Sequence, residues 1–309
     1  MTTSPPISTP SLWFFRRIVR RYLRRHFHAV RLSGSHNLPD AAGPLIVYAN
    51  HGSWWDPMIS IHLAEKLMPT LRHYAPMDQA ALARYAILSK VGVFPVEKNT
   101  LRGAAQFHRT GSLILQSGGV LWITPQGRFV DVRARPLDFK PGLSALAAHV
   151  AAKLGSCTLL PLAIEYPFWD ERLPEVLLNF GPPVHVLKGE PTDEIEHRLT
   201  NALEAAMNDL RDLALRRDPS AFLSLTSGSS GVGGFYAIGQ RLKAFLTRRP
   251  YQPDHTSNVQ PDPTPQDPQD SESQIEAQTD AQLESQLPAR AQQLTEPKNR
   301  QSQSIGRAQ

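Results

Sequence analysis

The sequence predicts an α/β fold, a mainly parallel sheet covered by helices. Short apolar runs such as Leu45 to Ala49, Val120 to Thr124 and Cys157 to Glu165 read as buried strands, because a strand covered on both faces loses its polar alternation. Stretches of helical period separate these runs: Pro57 to Leu67, Thr100 to Ser117, Pro141 to Gly155 and Asp193 to Arg217. Strands that alternate with helices form a sheet with helical cover. A chain of 309 residues with 41% hydrophobic content can build one large domain or two small ones.

Residues 1–10 form a polar, proline-rich leader, and the segment from Leu12 to Leu32 follows. At helical pitch Arg16, Arg17, Arg20, Arg21, Arg24 and Arg25 share one half of the circle, and Phe15, Ile18, Val19, Tyr22 and Leu23 occupy most of the other. This pattern predicts a basic amphipathic helix in a membrane interface. Packing of its apolar face on the domain is the alternative. Nucleic-acid binding is not expected, because no zinc spacing or base-reading motif accompanies the arginines.

Residues 1–31 hold seven arginines and no acid, whereas residues 251–309 hold nine acids against four Lys/Arg. The body is therefore more basic than the net charge of +5 suggests, which fits a polyanion such as an anionic membrane surface or a phosphorylated substrate. No apolar run reaches the ~20 residues needed to span a bilayer, and arginine pairs interrupt any signal-peptide core. The single cysteine, Cys157, permits no internal disulfide and suits a reducing compartment.

After a loop from Ser33 to Gly43 come the Leu45 strand, a strand near Thr70 to Ala75, a helix near Asp78 to Lys90 and a strand from Val91 to Val96. The Thr100 helix stops at Gly118-Gly119, and a polar loop spans 126–140. Further strands are expected at Glu175 to Phe180 and Val184 to Leu187. Residues 227–234 read as a flexible linker, Phe235 to Arg249 as a second basic amphipathic segment and 250–309 as a disordered tail. The expected divisions are 1–31 for leader and basic helix, 32–226 for the main domain, 227–249 for linker and second amphipathic segment, and 250–309 for the tail.

The chemistry concentrates in LIVYANHGSWWDP, Leu45 to Pro57. Pro57 marks a helix start, with Asp56 at its mouth and His51 on the strand-to-helix turn. Along one helix these two side chains would point about 140° apart. They meet only if the chain folds back at Gly52 and Ser53. An imidazole held by a carboxylate is a general base. The alternative is a capping aspartate and a packed histidine. Trp54 and Trp55 wall an apolar passage, face lipid or pack in the core. His26, His28, His62, His73 and His108 lack a partner at metal spacing and are expected to be solvated or packed.

Asn50-His51 with Asp56-Pro57 after an apolar strand resembles the first motif of the glycerolipid acyltransferase family, the 1-acylglycerol-3-phosphate and related lysophospholipid acyltransferases. Gly92 to Lys98, with Arg102 one turn on, is similar to its second block, with Lys98 where arginine is usual. Pro125-Gln126-Gly127-Arg128-Phe129 resembles the Pro-Glu-Gly-Thr-Arg segment. Gln126 replaces the glutamate, and Arg128 comes one residue early. Lys140-Pro141-Gly142 matches a Lys-x-Gly before the next helix. Leu160-Pro161-Leu162 resembles the Val-Pro-Val strand, and Asn179 to Pro183 a strand that ends in glycine.

The resemblance covers about residues 31–215 and implies an O-acyltransferase with His51 as base and Asp56 orienting it. Lys98, Arg102, Gln126, Gly127, Arg128 and Lys140 would bind the acceptor. The implied donor is acyl-CoA or acyl-carrier protein, as co-substrate, with no bound cofactor or metal. The expected acceptor is a lysophosphatidic acid or similar lysophospholipid in phospholipid biosynthesis. The expected place is the cytoplasmic face of a membrane, peripheral or monotopic. A non-standard acceptor such as a glycolipid, and a non-catalytic membrane-binding module, are the alternatives.

Overall fold

Helix α1, Thr9–His26, opens the architecture of the computed structural model, which describes residues 4–39 and 43–227. Pro10 sits in its first turn, and the Ser8 hydroxyl accepts the Ser11 N–H at 3.4 Å. The expected apolar stripe divides. Val19 and Leu23 are buried, while Tyr22 stays exposed. Trp13 and Phe14 are also exposed, beside Arg17, Arg21, Arg24 and Arg25.

The helix stops at His26, short of the boundary expected at Arg31, and Ala29–Ser33 forms strand β1. Val30 and Leu32 are buried while Arg31 and Ser33 are not, the period of two that suits a strand. The sheet therefore begins before the boundary expected at residue 32. A strand at its far end, Leu223–Ser227, was also not expected. Its last residue, Ser227, falls at the start of the expected linker. The rest of the linker, the Phe235 to Arg249 segment and the tail lie outside the described residues.

Between these ends run β2 Leu45–Ala49, α2 Asp56–Leu67, β3 His73–Asp78, α3 Gln79–Arg84, β4 Val93–Val96, α4 Leu101–Gln116 and β5 Val120–Ile123. The helix expected over Asp78 to Lys90 is α3 followed by a 3₁₀ turn at Ala86–Val91. Next come α5 Gly142–Leu154, β6 Ser156–Glu165, β7 Val176–Phe180, β8 Val184–Leu187 and α6 Thr192–Arg216, and Leu223–Ser227 is β9.

The sheet order is β4-β3-β5-β2-β6-β7-β1-β9, with β8 also on β6. The pairs from β4 through β6 are all parallel. β7 and β8 run antiparallel to β6, β1 is parallel to β7, and β9 is antiparallel to β1.

Two cores result, one on each face. Ile46 and Tyr48 of β2 face α4, α5 and α6, where Ile114, Leu146 and Leu203 are buried. Leu45, Val47 and Ala49 face α1 and α2 through Leu23, Ile59 and Leu63. With both faces covered, β2 is apolar throughout, as parallel central strands are. Its C-terminal end, like those of β5 and β6, opens onto the loops that carry chemistry. Among the described residues no helix is long and apolar enough to cross a membrane.

Candidate active site

The β2-to-α2 turn folds back as the spacing of His51 and Asp56 demands. Asn50 ties the end of β2 to β6: its Oδ1 accepts the Ile164 N–H at 2.8 Å, and its Nδ2 donates to the Ile164 carbonyl at 3.0 Å. His51 follows, and its Nδ1 lies 2.8 Å from Asp56 Oδ2. The helix begins at Asp56 itself, one residue earlier than expected, and no side chain caps it. The carboxylate turns back instead, and its Oδ2 accepts the Ser53 N–H at 3.0 Å. Asp56 is therefore a partner of His51 and not a helix cap. With the Asp56 side chain 2% exposed and that of His51 18% exposed, the carboxylate is sealed and the imidazole reaches solvent. A carboxylate on Nδ1 fixes the tautomer that leaves Nε2 free to take a proton.

The loop after β5 holds the same histidine. Gln126 is buried, and its Oε1 accepts the His51 N–H at 2.9 Å. That donor requires the amide oxygen, so the Gln126 NH₂ is the remaining end. Val130 N–H donates to the His51 carbonyl at 2.8 Å, and the Phe129 ring lies 4.5 Å from the imidazole. The departure from glutamate at 126 thus keeps the acceptor that His51 uses and exchanges the second oxygen for a donor.

The other expected residues spread outward. Gly127 has φ +62, and a Cβ there would meet Lys140 Cε at 2.9 Å, so a side chain would displace the lysine. Lys140 Nζ donates to Asn99 Oδ1 at 3.0 Å, which joins it to the β4-to-α4 loop that carries Lys98 and Arg102. Lys98 and Arg102 are exposed near the start of α4. Arg128 pairs with Asp138 at 3.2 Å, both on the surface. The structure thus gathers His51, Asp56, Gln126, Gly127 and Lys140, and sets Arg128 apart from them.

Sequence reasoning missed Phe129, Asn99 and Tyr166. The Tyr166 hydroxyl donates to Asp56 Oδ1 at 2.6 Å. Its ring lies 5.7 Å from that of Phe27, which also meets Trp55 at 4.9 Å. The His26 ring lies tilted 5.2 Å from that of Trp55, and Trp54 meets Trp55 edge to face at 5.5 Å, so the end of α1 touches the turn that carries His51 and Asp56. Proximity to a predicted strand end was the only available signal for Tyr166. The one thiol is not a competing nucleophile, since Cys157 is buried and burial pushes it up to about 12. His73 is a packing residue, with Nδ1 accepting from Trp122 at 3.1 Å and Nε2 facing the Met68 carbonyl at 2.8 Å.

Comparison with known proteins gives a family match and a structural likeness. Residues 29–165 match the family model Acyltransferase. No curated protein matches the chain. The crystal structure of the 1-acyl-sn-glycerophosphate (LPA) acyltransferase PlsC from Thermotoga maritima is similar at 18% identity and a TM-score of 0.48, over 66% of this chain and 79% of that one. His51, Asp56, Gln126 and Lys140 all fall inside the matched segment. The match to the Acyltransferase family model thus covers the segment from β1 through β6.

Proposed function

We propose that the protein moves a fatty acyl group from acyl-CoA or acyl-carrier protein to the hydroxyl of a lysophosphatidic acid or similar lysophospholipid, in phospholipid biosynthesis. The observation that carries this reading is the 2.8 Å contact between His51 Nδ1 and Asp56 Oδ2. His51 Nε2 takes the acceptor hydroxyl proton as the oxygen attacks the thioester carbonyl. The tetrahedral intermediate collapses, the C–S bond breaks, and the proton passes from His51 to the departing thiolate. Asp56 stabilises the imidazolium between those two transfers.

The head group fits the cationic rim. Lys140, Lys98 and Arg102 hold its phosphate, and lysine serves there as a point charge. Gly127 lets the ligand approach the backbone between this rim and His51. The lipid reaches the site from an anionic membrane surface on the cytoplasmic side. Trp13, Phe14 and Tyr22 are exposed on α1 beside its arginines, and Trp54 is exposed on the catalytic turn. Aromatic rings with neighbouring arginines suit a lipid interface.

A second reading has a specific observation behind it. Phe129, not a cation, faces the His51 imidazole, while Arg128 is engaged by Asp138. That favours an acceptor with an uncharged group next to its hydroxyl, such as a glycolipid. The test is thioester consumption by purified protein with labelled acyl-CoA or acyl-carrier protein. The acceptors are lysophosphatidic acid, monoacylglycerol, other lysophospholipids and a glycolipid, with His51→Ala as control. Turnover with lysophosphatidic acid and not with monoacylglycerol supports the phosphate rim. The reverse preference supports the second reading. No turnover with any acceptor and either donor overturns both.

A further inference from the structure

We propose that Tyr166 is a positioning residue for acyl transfer, holding Asp56 so that the carboxylate keeps His51 in its base-competent tautomer. This rests on the proposed role of His51 as base. Asp56 is almost wholly buried, and each of its oxygens is used. Oδ2 takes His51 Nδ1 and the Ser53 N–H, and Oδ1 takes the Tyr166 hydroxyl. At 2.6 Å, the Tyr166 contact is shorter than the other two. Such a length is typical of an O–H donor on a carboxylate.

Two donors on Oδ2 alone would leave the carboxylate able to rotate about its Cβ–Cγ bond. The third, on the opposite oxygen, fixes its plane. Burial and the neighbouring Asp56 charge both push the Tyr166 phenol well up, so it remains a donor throughout the working range. Its neighbour Glu165 does not replace it. That carboxyl is itself raised by burial against the pull of Arg211, and it is an acceptor when ionised. Tyr166 also lies just past β6, whose Ile164 is locked to Asn50. The rigid sheet that presents His51 therefore presents the third partner of Asp56 too, an arrangement that keeps a catalytic pair in register.

The test uses the full chain with ¹⁵N-labelled histidine, the His51 ring signals being assigned by their absence in His51→Ala. In the wild type one tautomer, protonated at Nδ1, is expected. In Tyr166→Phe the Nδ1–H signal weakens and the two tautomers mix. The kcat falls by about tenfold, short of the ~10² to 10⁴ that a general base supplies, and KM is unchanged. A carboxylate that has turned from His51 steadies the imidazolium less, so the acid limb of the pH–rate profile moves down by roughly half a unit.

Unchanged ring signals with an unchanged pH profile in a folded Tyr166→Phe would overturn the proposal. If that variant does not fold, site-specific difluorotyrosine at 166 keeps the ring and strengthens the donor. Shifted His51 signals then support the proposal, and unshifted ones overturn it. The ring signals need no acceptor, so this inference is read separately from the failure of the proposed reaction.

Discussion

The His51–Asp56 turn and the proposed cationic rim of Lys98, Arg102 and Lys140 are built in opposite ways. Around His51 the backbone N–H and carbonyl, the Nδ1 and one ring face all meet a partner: Gln126, Val130, Asp56 and Phe129. At the rim, Lys98 and Arg102 sit on exposed loop or first-turn positions, Lys140 has one neutral partner, and Arg128 is spent on a surface ion pair. Chemistry needs groups held to within a fraction of an ångström, whereas charge recognition tolerates long side chains that close on the ligand. The turn should therefore resist substitution poorly, and the rim should tolerate it.

The sharpest break is His51→Ala. It should lower turnover by about 10³-fold or more, the loss expected when a general base and its carboxylate partner are uncoupled. Its thermal midpoint should fall only modestly, because Asp56 still accepts from the Ser53 N–H and the Tyr166 hydroxyl. Acyl transfer together with circular dichroism melting checks both halves. Residual turnover close to normal would remove the turn from the mechanism.

A second histidine sharpens the contrast from inside the same strand–helix unit. His62 of α2 is fully buried, and its Nε2 lies 2.9 Å from Thr226 Oγ1, whose own hydroxyl donates to the Leu225 carbonyl. His62 Nδ1 is buried without a partner. Burial first, then Lys66, Arg20 and Arg24, lower its pKa to about 4. The folded value lies below the unfolded one, so the neutral form contributes stability above pH 6.5 or so. That stability is lost as pH falls toward 4, up to about 3 kcal/mol in all. His62→Leu should flatten the acid side of a stability–pH curve and leave turnover unchanged. An acid limb that is as steep as in the wild type would show that other groups govern it.

What could be read from the chain follows the range of each contact. The His51–Asp56 pair was legible because five residues and a forced fold-back define it. The alternation of apolar runs and helices showed the sheet and its cover. Tyr166 reaches Asp56 across 110 positions and Gln126 reaches His51 across 75, and no local pattern encodes a hydrogen bond over that distance. β1 was hidden because Val30-Arg31-Leu32 continues the arginine-and-apolar texture of α1, and only pairing with β7 and β9 chooses the strand. The apolar face of α1, expected to lie in a membrane interface, divides for a related reason. Periodicity identifies an apolar face but not what covers it, and Val19 and Leu23 are covered by protein.

Gln126→Ala tests the join between turn and rim. It would strand the His51 N–H in a buried site, which costs about 1–3 kcal/mol when an acceptor is lost. Turnover should fall by roughly tenfold as the turn loosens, a loss of about 1.4 kcal/mol in transition-state terms. Gln126→Glu keeps an oxygen for His51 and should restore the thermal midpoint. Any remaining change in acceptor preference would then report the exchanged NH₂ group. If both variants melt and turn over like the wild type, His51 is held well enough by Asp56 and Val130 alone.

The smallest effects should come from the rim, and their order matters more than their size. Lys140→Ala removes the cation beside Gly127 and should raise KM for a phosphorylated acceptor by about tenfold with little change in kcat, the mark of binding that is equal in ground and transition states. Arg128→Ala removes only an exposed pair with Asp138, of a kind worth about 0–1 kcal/mol, and should stay within about twofold on every parameter. The two are to be compared on the same acceptor at two ionic strengths, because salt weakens a charge-based KM. If Arg128→Ala proves the costlier, the loop must turn Arg128 inward when acceptor binds, and Phe129 must leave the His51 ring to let it pass. That result would move the cation into the most tightly held part of the site and abolish the division between the two regions.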